Sequence, residues 1–226
     1  MEAEAGVVAA DLSCLHEDSD LLVLCKPSGM LCVPGRGADK HDSLATRAQQ
    51  HWPGALVVHR LDQATSGLVL MARNPVAQRL LGQAFAARRV ERRYHAVVQG
   101  EPRPEALDDE GWALIDLPLA ADWPNRPRQR VDLATGKPSQ TRWRVLQQNH
   151  RGLAQSALLE LRPLTGRTHQ LRVHLAAIGH PILGDALYAD AATQQRAPRL
   201  LLHASALGFA HPRHGAWQQF EAPHGF

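Results

Sequence analysis

The sequence predicts an α+β fold with a mixed, mostly antiparallel central sheet and flanking helices. Short apolar runs of strand length recur along the chain, only a few segments have helical spacing, and no regular alternation of strands and helices predicts a parallel sheet. At 226 residues the chain is long enough to bury a substantial core. We expect an acidic extension over residues 1–20 and a single domain over residues 21–226.

The first predicted elements are a strand over residues 21–26 and a short helix. The strand is apolar and ends at a Pro-Ser-Gly turn over residues 27–29. Asp42 is the predicted N-cap of the helix, which continues to Trp52 and stops at a Pro-Gly pair. Both elements are short, so their stability depends on packing against the rest of the domain.

Two apolar runs, residues 55–58 and 67–72, predict strands on either side of a polar connection over residues 59–66. A second helix starts after Asn74, because Pro75 is favoured at the first helical position. Its apolar face consists of Leu80, Leu81, Ala84 and Phe85. Helical spacing makes this the best defined helix of the chain.

The second half of the chain is richer in strands. A further helix is predicted over residues 168–178, closing at Gly179. Residues 101–110 are acidic and contain proline, which predicts a surface connection, and residues 123–138 predict a basic hairpin or arm. The predicted strands are residues 93–100, 141–147, 156–162, 200–209 and 217–220.

Positive charge is concentrated away from the N-terminus. Residues 1–20 hold six acids and no Lys or Arg. Residues 21–226 are therefore more basic than the formal net charge of +3 for the whole chain indicates. Such a distribution suits a phosphate backbone, although a solvated loop in an arginine-rich protein explains it equally well. Between residues 123 and 151 the only acid is Asp132, among the basic residues Arg126, Arg128, Arg130, Lys137, Arg142, Arg144 and Arg151.

Several classes of protein are excluded. No apolar run is long enough to cross a bilayer, and the N-terminus has acids where a secretory signal has bases, so we expect a cytoplasmic protein without a membrane partner. Three cysteines without a CxxC pair do not support a disulfide framework or a zinc knuckle. The thirteen histidines include no HExxH motif, so we expect no metal site.

The densest group of reactive side chains lies in the polar connection over residues 59–67. Asp62 is a candidate nucleophile or general base, and Arg60 is a candidate contact to phosphate. The structural alternative is that Asp62 caps the Thr65-Ser66-Gly67 turn while Arg60 pairs with a surface acid. Composition and spacing alone favour that alternative.

A second group occupies residues 162–172, a turn that leads into the third predicted helix. A buried Arg167 would require a carboxylate partner, and Asp62 is the candidate. Pairing would keep Asp62 ionised in an apolar pocket. The alternative is a capping network in which Thr165 or Thr168 caps the helix and Arg167 is solvated.

These segments resemble the RluA family of pseudouridine synthases. His59-Arg60-Leu61-Asp62 followed by Thr65-Ser66-Gly67-Leu68 is similar to the family's catalytic motif. Three further segments are similar to the family's other motifs and occur in the same order along the chain. They are residues 93–100, 165–174, and 179–185 with 201–204. The resemblance implies the pseudouridine synthase catalytic fold and isomerisation of uridine in RNA, a reaction that needs no cofactor.

The resemblance also assigns roles. It implies that Asp62 acts at the sugar, either by attacking C1′ or by removing a ribose proton to give a glycal. It also implies that Tyr94 contacts the target base and that Arg167 pairs with Asp62. The base must be extruded from the RNA, and Arg60 is suited to fill the vacated space. The implied RNA-binding residues are Arg60, His59, Thr65, Arg126, Arg128, Arg130, Lys137 and Leu171.

Residues 116–138 resemble one subgroup of the family more closely. Its members lack the N-terminal S4 domain of many relatives and act on large-subunit ribosomal RNA and on the anticodon stem-loop of certain transfer RNAs. We therefore expect rRNA and tRNA stem-loops as partners and no obligate protein partner. Two alternatives are a nucleoside hydrolase, against which the lack of a second carboxylate beside Asp62 argues, and a non-catalytic RNA-binding protein.

Overall fold

Strands and helices alternate irregularly along residues 12–37 and 40–226, which are the residues that the computed structural model describes. In chain order the elements are β1 (Ser13–Glu17), β2 (Leu21–Lys26), α1 (Leu44–His51), β3 (Leu56–Val57), β4 (Ser66–Ala72), α2 (Pro75–Ala86), β5 (Glu91–Gln99), β6 (Ala113–Asp116), β7 (Leu119–Ala121), β8 (Gln129–Val131), β9 (Gln140–Gln148), β10 (Ser156–Pro163), α3 (Gln170–Ala177), α4 (Ala191–Gln195), β11 (Leu202–Ala210) and β12 (Trp217–Glu221). None of these helices has the length and apolar character that crossing a bilayer requires.

Ten strands form one mixed sheet in the order β1-β2-β4-β11-β5-β10-β9-β6, with β3 also paired to β4 and β12 to β11. The pairing of β4 with β11 is parallel, and the other pairs in this sheet are antiparallel. Strands β7 and β8 form a separate two-stranded hairpin. The predicted α+β class with a mostly antiparallel sheet is confirmed.

Strand β2 is apolar at consecutive positions because both of its faces are covered. Leu22 and Leu24 pack with α1 on one face. Leu21 and Val23 pack with α2 on the other face. A strand covered on both sides has no solvent-facing positions to hold polar residues, so its sequence lacks the usual alternation.

Gly67 is required where β4 meets β11. Its φ is 113°, and a Cβ at this position would collide with the backbone of Ala204. Only glycine allows the two strands to approach this closely. The loop that precedes β4 is thereby held against the centre of the sheet.

The predicted elements are found, with small differences at their ends. The N-cap of α1 is Ser43, whose hydroxyl accepts from the Thr46 amide, whereas the predicted cap Asp42 forms an ion pair with Arg47. Helix α3 starts at Gln170, two residues later than predicted, because His169 adopts a left-handed conformation. The sequence did not predict β1, β6 or α4.

The boundary predicted at residue 20 is placed too late, because β1 precedes it and pairs with β2. The acids around β1 are partnered: Glu17 pairs with Arg73, and Asp20 pairs with Arg213. The acidic character of residues 12–20 therefore serves the fold. Residues 1–11 of the predicted extension lie outside the described residues.

Candidate active site

The loop that carries Asp62 is fixed from below by a buried lysine. Lys26, at the end of β2, is fully buried, and its Nζ donates to the carbonyls of Pro27 (2.9 Å), Met30 (2.8 Å) and Gln63 (3.0 Å). These three acceptors satisfy the ammonium group inside the protein. Burial lowers the pKa of Lys26 to about 8, and the nearby Asp62 carboxylate opposes this shift.

Asp62 itself is partly accessible, with 24% of its side chain exposed. It lies on a cavity of about 110 Å³ between the loop before β4, strand β5 and the turn before α3. The side chains around this Asp62 cavity are predominantly polar or basic. They belong to Arg60, Asp62, Thr65, Arg92, Tyr94, Pro163, Thr165, Arg167, His169, Gln170, Leu171, Arg172 and Leu202.

Tyr94 faces Asp62 across this cavity from β5. Its ring is half-buried and packs against both hydrophobic clusters that meet at β11. Burial raises the pKa of the Tyr94 hydroxyl, so this group is neutral at physiological pH. Asp62, Tyr94 and Arg167, the three predicted catalytic residues, all line this cavity, and their roles stay predictions.

The predicted ion pair between Arg167 and Asp62 is absent from the structure. Arg167 is exposed, and its Nε and a terminal nitrogen each lie 3.4 Å from the carbonyl oxygen of Pro138. The alternative of a solvated Arg167 therefore holds for the protein without RNA. The interior of the turn is occupied by the buried side chain of Gln170.

Gln170 organises the turn before α3 through both ends of its amide. Its Oε1 accepts from the Thr165 hydroxyl (2.7 Å) and the Arg167 amide (3.0 Å). Its Nε2 donates to the Gln140 carbonyl (2.9 Å) and the Thr141 hydroxyl (3.0 Å). This buried side chain joins the turn to β9 and fixes one wall of the cavity.

Behind this turn lies a buried ion pair. Arg172 donates to both oxygens of Asp185 at 2.8 and 2.6 Å, and their side chains are 5% and 0% exposed. Asp185 also accepts from the amides of Leu187 and Tyr188. Two forked hydrogen bonds and two backbone donors satisfy charges that would otherwise be very unfavourable in the interior.

His169 brings a ring nitrogen close to Asp62. The distance from His169 Nε2 to Asp62 Oδ2 is 4.0 Å, while Nδ1 lies 2.6 Å from the Tyr188 hydroxyl. Burial lowers the pKa of His169, and the Asp62 carboxylate opposes this effect. The sequence offered a signal for this residue, since it belongs to the segment 165–174, but no role was predicted for it.

Two residues next to Asp62 occupy different environments. Arg60 is exposed at the mouth of the cavity. His59 stacks on Phe85 with ring centres 4.5 Å apart, and its Nε2 accepts from the Leu70 amide at 3.0 Å. Burial lowers the pKa of His59 to about 3. Its Nε2 is therefore engaged by β4, and the role of His59 in RNA binding stays a prediction.

The hairpin of β7 and β8 with the turn that follows forms a basic arm over residues 119–138. Arg126, Arg128, Arg130 and Lys137 are all exposed on it. Arg126 stacks on the exposed Trp123 ring at 3.3 Å. The arm is anchored beside the Asp62 cavity by the Gln129 amide, which donates to the Tyr188 hydroxyl at 2.8 Å.

The geometry combines a partly buried carboxylate, a tyrosine that can stack on a base, and exposed arginines beside them.

Comparison with known proteins agrees with a site that acts on RNA. The family model described as RNA pseudouridylate synthase matches residues 20–177. The chain belongs to this family. Within it, the chain is 47% identical over 212 residues to the "Dual-specificity RNA pseudouridine synthase RluA" of Escherichia coli (strain K12), covering 94% of this chain and 93% of that protein.

Other members of the RNA pseudouridylate synthase family are similar along the same length. The protein of the same name from Yersinia pestis is 46% identical over 207 residues, covering 92% of this chain and 96% of that protein. The solved structure of Human RNA Pseudouridylate Synthase Domain Containing 1 superposes with a TM-score of 0.76 at 28% identity, covering 94% of this chain and 83% of that chain. The predicted membership of the RluA family is confirmed.

Family membership makes the chain an isomerase that converts uridine in RNA to pseudouridine. The alternatives of a nucleoside hydrolase and a non-catalytic RNA-binding protein are not favoured. Sequence reasoning missed Lys26, Gln170, the Arg172–Asp185 pair and Tyr188. All of these except Tyr188 lie in segments named above: Lys26 in the strand over residues 21–26, Gln170 and Arg172 in the segment 165–174, and Asp185 in the segment 179–185.

Proposed function

We propose that this synthase isomerises uridine in two kinds of RNA, a loop of large-subunit 23S ribosomal RNA and the anticodon stem-loop of some transfer RNAs. The observation that carries the proposal is the juxtaposition of Asp62 and Tyr94 on one cavity, directly beside the exposed arginines of the basic arm. Similarity along almost the full length to proteins named for dual specificity supports the breadth of substrates.

The reaction needs no external atom or electron. The bond from ribose C1′ to N1 of uracil breaks, the base rotates, and C1′ forms a bond to C5. C5 then loses its proton, and N1 gains one. Asp62 acts at the ribose, either on C1′ or on a ribose proton, and both routes require an ionised carboxylate. The buried ammonium of Lys26 supports that charge from beneath the loop.

The other residues of the cavity handle the base and the developing charge. Tyr94 stacks on the extruded uracil, and its neutral hydroxyl is placed to relay the C5 proton. Arg167 leaves its two long contacts with Pro138 when RNA binds and pairs with Asp62. Arg60, exposed at the mouth, occupies the space left in the RNA.

The RNA backbone lies along the basic arm. Arg126, Arg128, Arg130 and Lys137 are exposed there and contact phosphates, which position the RNA without reading its sequence. Thr65 and Leu171 line the cavity itself and contact the extruded nucleotide. The chain acts in the cytoplasm, where both RNAs occur, without an obligate protein partner.

The experiment is complementation with position-resolved mapping of pseudouridine. Total RNA is compared from cells that lack the gene and carry a plasmid copy of either the wild type or Asp62→Asn. Wild type is expected to restore pseudouridine at one site in 23S RNA and in anticodon stem-loops, whereas Asp62→Asn restores neither. Asparagine has the same shape but no negative charge, so the purified variant should bind a stem-loop RNA within about threefold of wild type.

Three results contradict parts of the proposal. Restoration of only ribosomal or only transfer RNA sites contradicts dual specificity and leaves the isomerase intact. Full restoration by Asp62→Asn contradicts the catalytic role of the aspartate. Release of free uracil from the RNA would indicate hydrolysis instead of isomerisation.

A further inference from the structure

His169 has a backbone conformation that is uncommon outside glycine. It lies just before α3 with φ at 53°, in the left-handed region that favours glycine. Only 10% of its side chain is exposed. A buried residue held in this region carries a conformational cost, and such residues concentrate at functional sites. The consequence of the conformation is that the ring projects between Asp62 and Tyr188.

The hydrogen bonds of Tyr188 determine which ring nitrogen of His169 carries the proton. The Tyr188 oxygen accepts from the Gln129 amide at 2.8 Å, so its own O–H remains to be donated. Among the described residues the acceptor within reach is His169 Nδ1, at 2.6 Å. Nδ1 is therefore unprotonated, and the neutral ring carries its proton on Nε2, which faces Asp62.

Tyr188 is itself fixed by the buried ion pair. Its amide donates to Asp185 Oδ1 at 3.2 Å, and the Arg172 guanidinium lies 5.0 Å from its ring centre. Arg172 in turn is held by both oxygens of Asp185. A tyrosine packed in this way cannot move its hydroxyl away from His169 without disturbing the interior. The buried ion pair therefore fixes the orientation of the His169 imidazole through Tyr188.

His169 is the basic side chain nearest to the Asp62 carboxylate within the described residues. The distance of 4.0 Å from Nε2 to Oδ2 exceeds a hydrogen bond by about 1 Å. In enzymes without substrate, catalytic hydrogen bonds are commonly this long and shorten when substrate binds. Arg60 and Arg167 are exposed in this state, so neither holds the carboxylate.

We propose that His169 is a positioning residue for Asp62. When RNA fills the cavity, the His169 Nε2–H donates to Oδ2 and fixes the rotamer of the carboxylate. Tyr188 keeps the imidazole in the tautomer that can donate. This inference rests on the proposed catalytic role of Asp62. The charged and titratable groups around the imidazole are Asp62, Arg172, Asp185, Arg60 and Tyr188.

The test uses two variants of the full chain and release of tritium from stem-loop RNA that contains [5-³H]uridine. His169→Asn tolerates the left-handed backbone but cannot reach Asp62 with its donor. Tyr188→Phe keeps the ring over Arg172 and removes only the hydroxyl. We expect His169→Asn to lower kcat about 100-fold, with KM for the RNA within threefold of wild type. Tyr188→Phe should lower kcat about tenfold, and its KM should also rise, because the lost hydroxyl anchors the basic arm through the Gln129 amide.

Rescue by glutamine separates positioning from a loss of folded structure. The side-chain amide of His169→Gln can donate to Asp62 in place of the imidazole Nε2–H, and glutamine tolerates a left-handed backbone at Gln155 of this chain. We expect His169→Gln to keep kcat within about tenfold of wild type. His180→Asn is the matched control, because this half-exposed ring follows the other end of α3 and, within the described residues, hydrogen-bonds to the Gln99 carbonyl. It should leave kcat unchanged.

The outcomes distinguish this inference from the proposed function. If Asp62→Asn is inactive while His169→Asn has wild-type kcat, the positioning role is wrong and the aspartate remains catalytic. If Asp62→Asn is active, the proposed function itself has failed. An equal loss of kcat in His169→Gln and His169→Asn, or an equal fall in His180→Asn, assigns the effect to folding and overturns the inference.

Discussion

Arg172 and Arg130 each face a carboxylate, but their surroundings differ. Arg172 and Asp185 are almost completely buried and joined by two hydrogen bonds. Arg130 lies 2.9 Å from Asp132 on the basic arm, with 59% of its side chain exposed. The first pair fixes the interior behind the Asp62 cavity, and the second leaves a guanidinium available to RNA. Burial, more than distance, decides which of the two roles an arginine has.

The largest effect should come from breaking the buried pair. Asp185→Asn leaves Arg172 charged and unpaired in the interior, and we expect the free energy of unfolding to fall by about 3–5 kcal/mol. Urea unfolding measures this. Asp42→Asn, which breaks the exposed pair with Arg47, is the control and should cost less than about 1 kcal/mol. Equal losses in the two variants would contradict the distinction between buried and exposed pairs.

Substitutions in the basic arm should have a smaller effect. They should change the affinity for RNA and not the free energy of unfolding. Each of Arg126→Gln, Arg128→Gln and Arg130→Gln should reduce the slope of log affinity against log salt by about 0.7–0.9, because one phosphate contact is lost. KM should rise while kcat stays constant. Arg103→Gln, at a site 87% exposed but outside the arm, is the control. An unchanged slope in all three arm variants would show that the arm does not contact the backbone.

The smallest effect on the free energy of unfolding is expected from the ion pair of Asp20 with Arg213, which is only partly buried. Asp20 is buried, whereas Arg213 is largely exposed, and their interaction lowers the pKa of Asp20 to about 2. A lowered carboxyl pKa stabilises the fold above about pH 4, and this contribution is lost as the pH falls towards 2. Arg213→Gln should therefore be destabilised at pH 7 and approach wild type near pH 2. A constant difference between the two proteins from pH 7 to pH 2 would contradict this origin.

Much of the fold could be predicted because local signals were strong. Pro75 after Asn74 marked the start of α2, and the continuous apolar run of β2 marked a strand. Strand β1 could not be predicted from its acids, because their partners Arg73 and Arg213 are distant in sequence. Edge strand β6 is only four residues long, and its exposed Leu114 is apolar, so its sequence gave no alternating pattern.

Only the residues of the site that belong to recognisable sequence motifs were predicted. Asp62 and Tyr94 were identified from residues adjacent in sequence, and both line one cavity. The position of Arg167 could not be deduced, because it depends on Gln170 filling the turn through contacts with β9. The link from His169 to Tyr188 joins residues 19 apart across a loop, and no local pattern signals such a contact.

Strand β11 lies at the centre of the sheet although it is almost the last strand in the chain. It separates β4, which follows the Asp62 loop, from β5, which carries Tyr94. During synthesis these two halves of the site have no shared sheet until residues 202–210 have left the ribosome. We therefore expect a chain that ends before residue 202 to lack activity towards RNA, and the protein to become active only when its translation is nearly complete.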